Sequence, residues 1–207
     1  MKGVYAITPC DMEINTLVDK VKRLLDSGIL FFQYRDKNLH KSKISENAFK
    51  LLELIKKYDA NLIINDNPMV AMEIGADGFH LGLEDYQDKK VQNFLKEHRE
   101  ILNEDYIKGI SCKWNIKLIE TPPEEIINWD YIAVGSFYDS KTKTDAVTKR
   151  NIEWDLPLKL SLKPIVAIGG INHKNFEKVI SHGYEILAIS EGIFSEDSSS
   201  KIINYFK

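Results

Sequence analysis

Hydrophobic and polar positions along the chain alternate between two periods. Short apolar, β-branched runs occur at residues 4–8, 29–34, 62–64, 78–82, 106–112, 131–137, 164–168 and 186–190, most of them broken by Gly, Pro, Asn, Asp or Ser, the punctuation of buried strands. Between them the spacing turns helical. Ile14, Leu17, Val18, Val21, Leu24 and Leu25 recur on one face up to Ser27-Gly28, and Ile44, Ala48, Leu51, Leu52 and Ile55 do so over 42–58. Met69, Val70, Met72 and Ile74 follow Pro68 and stop at Gly75. Val91, Phe94 and Leu95 mark another helix, and 175–181 and 200–206 read as the last two. The stretch 114–129 is weakly helical, and Pro122-Pro123 should leave it short or broken.

A helix end, a glycine and a strand follow one another at 27–32, 75–81 and 183–189. This regular strand–helix alternation with about eight strands predicts a (β/α)8 TIM barrel, with an open doubly wound α/β sheet as the other candidate. No linker-like or compositionally distinct segment divides residues 1–207, so one barrel domain is expected.

Composition then narrows the function. A net charge of −3 provides no field for nucleic acid or an anionic membrane, so an anion would need a local basic cluster. Cys10 and Cys112 are too few for a disulfide framework and are read as reduced. The opening MKGVYAITP has neither a signal peptide nor a spanning helix, and a cytoplasmic protein is expected.

Candidate chemistry gathers where the strands end. Asn65-Asp66-Asn67-Pro68 closes one strand and Asp85 follows the next. One strand–helix–strand unit makes those strands parallel neighbours, so both carboxylates fall where parallel sheets build ligand sites and can converge on one cation. Simple capping of the helices near Pro68 and Tyr86 is the competing explanation. Gln33, Arg35 and Lys37 alternate after Phe31-Phe32, placing an amide and two cations where they can point one way. An Arg fork with a Lys point charge suits a diphosphate, while surface solvation explains either alone. The polar loop 138–148 carries Ser140, Thr142 and Lys143 and suits a mobile lid or ligand loop. Gly169-Gly170 and Ile189-Ser190 follow the seventh and eighth strands, the usual phosphate grip of such barrels, although a tight turn alone would also require the glycines. His80, among apolar neighbours, reads as a structural histidine.

Six ordered motifs carry a resemblance: Gln33-Tyr34-Arg35-Asp36-Lys37, Ile64-Asn65-Asp66, the run from Gly75 to Asp85, Gly109-Ile110-Ser111, Ser140-Lys141-Thr142-Lys143 and Ala167 to Ile171. Together they resemble the thiamine-phosphate synthase family over nearly the whole chain. The resemblance implies a Mg²⁺-dependent transferase that joins hydroxymethylpyrimidine diphosphate to a thiazole phosphate and releases diphosphate. It assigns Gln33 to Lys37, Asn65 and Lys143 to the diphosphate segment, Asp66 and Asp85 to Mg²⁺, and Ser111 to a place beside the pyrimidine and leaving group. Ser140, Lys141 and Thr142 fall in the thiazole segment, with Gly170, Ile189 and Ser190 around its phosphate. Lys143, Ser111 and Arg35 are the residues expected at the reacting centre. The family also implies a homodimer acting on small molecules, without nucleic acid or membrane.

The chain departs from the family pattern at Asn67-Pro68, where Arg is common after Asn-Asp, at Ser136, at Asp139 and Lys141, and at Glu191-Gly192. Two alternatives share the barrel: a thiazole tautomerase-like isomerase, and a non-catalytic binder of thiamine phosphates. The isomerase is expected to carry His two residues after Ser111, where Lys113 stands, and the binder has little use for a metal and leaving-group cations.

Overall fold

In the computed structural model, residues 2–139 and 153–207 are described, apart from the side chains of 196–198. Eight parallel strands close on themselves in chain order: β1 Gly3–Ile7, β2 Phe31–Tyr34, β3 Asn61–Asn65, β4 Gly78–Leu81, β5 Ile107–Ser111, β6 Tyr131–Val134, β7 Ile165–Ile168 and β8 Ile186–Ile189. The expected (β/α)8 barrel is the observed fold, and the open sheet is excluded by the β1–β8 pairing of Gly3 to Ala6 with Ile186 to Ile189.

Strand alternation divides the apolar residues into two layers. Tyr5, Ile7, Phe31, Ile63, Tyr131, Ala133, Val166, Ile186 and Ala188 fill the barrel interior. Their strand neighbours, among them Phe32, Tyr34, Leu62, Ile64, Phe79, Ile110, Ile132 and Leu187, face outward against the helices. The helix Ile14–Asp26 buries Leu17, Val21, Leu24 and Leu25 in that outer layer, as the helical spacing predicts.

The repeated glycines do the same work each time. Gly28, Gly75 and Gly183 adopt φ of +91°, +67° and +99°, the left-handed turn that ends a helix and frees the chain for the next strand.

Several boundaries differ from the sequence reading. β2 begins at Phe31 because Ile29 N–H still donates to Leu24 O (3.1 Å), a bond of the helix exit. β6 ends at Val134, after which Phe137 N–H turns to Ile168 O at 3.2 Å. The weak 114–129 segment keeps only Ile116–Glu120, stopping before the paired prolines. Short helices at Leu83–Gln87, Arg99–Asp105, Leu156–Leu160 and Glu191–Phe194 are too brief to show a period. The last helix starts at Glu196 rather than near 200. Among the described residues, no helix is long and apolar enough to cross a membrane.

Candidate functional site

The C-terminal ends of β2 to β5 form one polar mouth, the end where barrels of this kind place ligand sites. Asp66, just past β3, sits at φ +58°, a left-handed conformation that Asp tolerates better than most residues. Its Oδ1 accepts from Gly82 N–H (3.2 Å), its Oδ2 accepts from Asn65 Nδ2 (2.6 Å), and Lys37 Nζ lies 3.3 Å from Oδ2. Asp85 lies in the first turn of Leu83–Gln87. A Cβ built on Gly82 would lie 2.8 Å from Asp85 Oδ2 and 3.9 Å from Asp66 Oδ1, so both carboxylates border one small space kept open by the glycine.

Neither acid is used as the capping explanation requires. The cap of Pro68–Ile74 is Asn67, whose Oδ1 accepts from Val70 N–H at 3.0 Å. This accounts for the departure at Asn67-Pro68: cap and first helical position are filled by residues suited to them. For Leu83–Gln87 the cap residue is Gly82, without a side chain to offer.

Burial first, and then the charge of Asp66, push the Asp85 carboxyl up to about 6. Two acids that resist joint ionisation are relieved by a cation between them. No cluster of three or more His, Cys, Asp or Glu suited to a metal occurs among the described residues. Two carboxylates and open space fit Mg²⁺, which keeps several waters and takes its remaining ligands from substrate phosphates.

The basic residues reach this mouth by a different route from the one expected. Simple alternation does not align Gln33, Arg35 and Lys37, because β2 ends at Tyr34 and only Gln33 points into the barrel. Arg35 is fixed towards the β1 side. Its N–H donates to Thr8 Oγ1 (2.9 Å) and its Nη1 donates to Cys10 Sγ (3.0 Å). Lys37 leans the other way, to Asp66. The two cations thus flank the mouth from β1 and β3 rather than forming a row.

Tyr34 faces the helix layer, 2% exposed, so from this position it can offer the mouth only backbone. The Asp36 carboxylate accepts from Asn38 N–H at 3.0 Å, which shapes the turn after Lys37. Ser111, at the end of β5, lies 2.8 Å from His80 Nε2. Gly169 and Gly170 have φ of +102° and +66° and lie against Ser136 and Tyr138, so side chains there would strain the turn and strike the β6 loop. Ile189 packs into the outer layer, which leaves backbone as its contribution, and Ser190 precedes Glu191–Phe194. Ser140, Lys141, Thr142 and Lys143 lie outside the described residues.

Cys10 and Cys112 are both free. Burial pushes the Cys112 thiol up to about 12 and its Sγ donates to Leu118 O, so it holds no thiolate for nucleophilic work. Sequence reasoning missed Thr8, Cys10, Gly82, Tyr5 and Tyr131. Only the polar Thr8, breaking an apolar strand at its mouth end, gives a readable signal.

Comparisons with known proteins bear on the family and the fold. The family model described as thiamine monophosphate synthase matches residues 4–193. The thiamine-phosphate synthase of Nitrosospira multiformis is 39% identical over 193 residues, covering 93% of this chain and 78% of the relative. That of Nitrosomonas eutropha is 34% identical over 206 residues, covering 100% and 93%. Among solved structures, the thiamine phosphate pyrophosphorylase from Pyrococcus furiosus superposes with a TM-score of 0.77 at 26% identity, over 97% of this chain and 91% of that one. A 3-hexulose-6-phosphate synthase, at 13% identity and TM-score 0.63, shares the fold alone. The chain belongs to the thiamine monophosphate synthase family.

Proposed function

We propose that the protein is a thiamine-phosphate synthase, condensing 4-amino-2-methyl-5-(diphosphooxymethyl)pyrimidine with a thiazole phosphate to give thiamine phosphate and diphosphate. The observation that carries the reading is the Asp66–Asp85 pair around Gly82, with Lys37 3.3 Å from Asp66 and Arg35 on the adjoining side. A leaving diphosphate needs its charge met in the transition state, and a carboxylate pair with flanking cations is arranged for that purpose.

Asp66 and Asp85 would hold Mg²⁺, which when bound neutralises charge on the departing phosphate oxygens. Arg35 and Lys37 would grip the same group from the β1 and β3 sides, and Asn65, bonded to Asp66, would keep that carboxylate aimed. As the pyrimidine methylene C–O bond breaks, its electron pair leaves with diphosphate. The thiazole nitrogen lone pair then forms the C–N bond. No base is required, which suits a mouth whose one buried histidine is already committed to Tyr131 and Ser111. Ser111 would touch the pyrimidine or its leaving oxygen, Lys143 would hold the diphosphate, and Ser140 and Thr142 with Lys141 would contact the thiazole substrate. The phosphate of that substrate would rest on backbone at Gly170, Ile189 and Ser190.

The same proposal carries Mg²⁺ as cofactor, a homodimer and a cytoplasmic setting. Lys113 is exposed where a tautomerase would have His, so the isomerase reading lacks the residue it expects.

The test is product formation by purified protein given both substrates, with Mg²⁺ or with EDTA, alongside Asp66→Ala and Lys143→Ala. Thiamine phosphate and diphosphate should appear together with Mg²⁺ and collapse with chelator and in both variants. Wild type that binds thiamine phosphate yet makes none over hours overturns the synthase reading.

A further inference from the structure

A chain of hydrogen bonds crosses the barrel interior beneath the mouth. Gln33 Nε2 donates to Tyr5 Oη (2.8 Å), Tyr5 Oη lies 3.0 Å from Tyr131 Oη, Tyr131 Oη lies 3.1 Å from His80 Nδ1, and His80 Nε2 lies 2.8 Å from Ser111 Oγ. It links β2, β1, β6, β4 and β5. Its members up to His80 are between 1% and 5% exposed, so bulk water does not complete their bonding. Gly109 makes the crossing possible: the Tyr131 ring lies where a Cβ on that residue would be, so any larger residue would expel it. The Tyr131 ring also stacks on His80, with centroids 5.6 Å apart and planes 22° from parallel.

The chain has a direction. A carboxamide nitrogen only donates, so Tyr5 Oη receives from Gln33 and has its own proton left to place. Tyr131 Oη is its partner, and the Tyr131 proton then goes to His80 Nδ1. A ring accepting at Nδ1 carries its proton on Nε2 when neutral, and that proton goes to Ser111 Oγ. With the Gln33 amide nitrogen turned to Tyr5, any other order strands a phenolic proton in the interior. Burial raises both phenols well above their ordinary range, so each keeps its proton. Ser111, already accepting from below, is left with its hydroxyl proton for the mouth.

We infer that His80 is a positioning residue, locked by Tyr131 in the Nε2–H tautomer, and that through it the Gln33–Tyr5–Tyr131 chain sets Ser111 as a hydrogen-bond donor towards the bound pyrimidine diphosphate. The inference deepens the synthase reading and rests on it only for the ligand's identity. Ser111 is thereby fitted to an acceptor, a ring nitrogen or a phosphate oxygen, and is mismatched to a donor.

The first measurement needs no substrate. In ligand-free protein labelled with nitrogen-15 histidine, with His80→Gln identifying the resonances, His80 should show a pyridine-like Nδ1 and a pyrrole-like Nε2. Tyr131→Phe should abolish that preference. A proton on Nδ1 in the wild type, or the same tautomer in Tyr131→Phe, overturns the inference whether or not the protein is a synthase. The second measurement compares two variants in turnover. His80→Gln keeps a donor near the Nε2 position and should stay closer to wild type, whereas His80→Phe should lower kcat by about tenfold, the scale of one lost hydrogen bond, with KM for the thiazole phosphate unchanged. A purely structural histidine gives the reverse order, because the aromatic Phe fills the buried site better than Gln, and that result also overturns the inference. Loss of turnover in the wild type would strike the proposed reaction and leave the tautomer to decide the relay.

Discussion

The carboxylate rim and the relay beneath it share one mouth yet settle their polar groups by opposite means. In the relay, Gln33, Tyr5, Tyr131 and Ser111 carry no charge, and each phenol and imidazole nitrogen finds a partner inside the chain at 2.8 to 3.1 Å. At the rim, Asp66 and Asp85 repel one another across the space beside Gly82, and Asp85 is driven up to about 6. Up to Ser111, whose proton is left for the mouth, the relay is complete without a ligand. The rim is not, and its remaining charge is what a cation and a diphosphate would answer. A site that must bind and release charge keeps that part unfinished, while the part that orients is finished in advance.

Removing either rim carboxylate tests this contrast most severely. Asp66→Ala and Asp85→Ala should each lower kcat/KM by about a hundredfold or more, the scale of lost electrostatic stabilisation at a reacting group, while in Asp85→Ala thermal stability without Mg²⁺ is preserved or improved. An equally large loss of stability would mean that the rim is as structural as the interior, and the contrast would fail.

Gly82→Ala addresses the space rather than the charge. Gly82 lies at φ −72°, ψ 162°, which alanine adopts freely, but its methyl would lie 2.8 Å from Asp85 Oδ2. The fold should survive and the Mg²⁺ concentration for half-maximal activity should rise by about tenfold, within the range seen when support of metal ligands is disturbed. Unchanged Mg²⁺ dependence would show that the metal does not use this space.

Protonation sharpens the same point. The folded carboxyl of Asp85 titrates near 6 against an ordinary 3.8, so the fold disfavours its ionised form. That cost is fully present above about 6, shrinks as pH falls through the interval, and is gone below 3.8. Asp85→Asn should therefore raise the melting temperature of the metal-free protein above pH 6 and lose that advantage in acid. Mg²⁺ affinity of the wild type should weaken as pH falls through 6, because proton and metal compete for one carboxylate. Melting curves and Mg²⁺ titrations across that range measure both.

How much of this was legible in the sequence follows from the period of each signal. Asp66 and Asp85 were readable because a strand–helix–strand unit fixes where successive strand ends lie, and capping could be set aside only once Asn67 was seen in that role. The alternation of Gln33, Arg35 and Lys37 failed as a reason, since a two-residue period holds only within a strand and β2 stops at Tyr34. Tyr5 and Tyr131 read as core aromatics. They lie 126 residues apart, and no local pattern says that two inward-facing phenols meet across a closed barrel. Gly109 was noticed in its motif without the reason that the structure supplies, the Tyr131 ring lying over it.

The smallest expected effect concerns the hinge between rim and scaffold. Asn67 caps Pro68–Ile74 through Val70 N–H, directly after Asp66 in its left-handed turn. Asn67→Ala should cost about 1 kcal/mol of stability, the usual worth of a cap, read as a shift of the denaturant midpoint at unchanged slope. Pro68 already fixes its φ for the first helical position, so the helix should persist. If the rim is held by ligand rather than prebuilt, Asp66 can still be drawn into place, and Mg²⁺ affinity should change much less than in Gly82→Ala. A loss of Mg²⁺ binding as deep as that of Asp66→Ala would instead show the left-handed turn to be rigid preparation for the metal. The rim would then be as finished as the relay, and the division of labour between them would have to be redrawn.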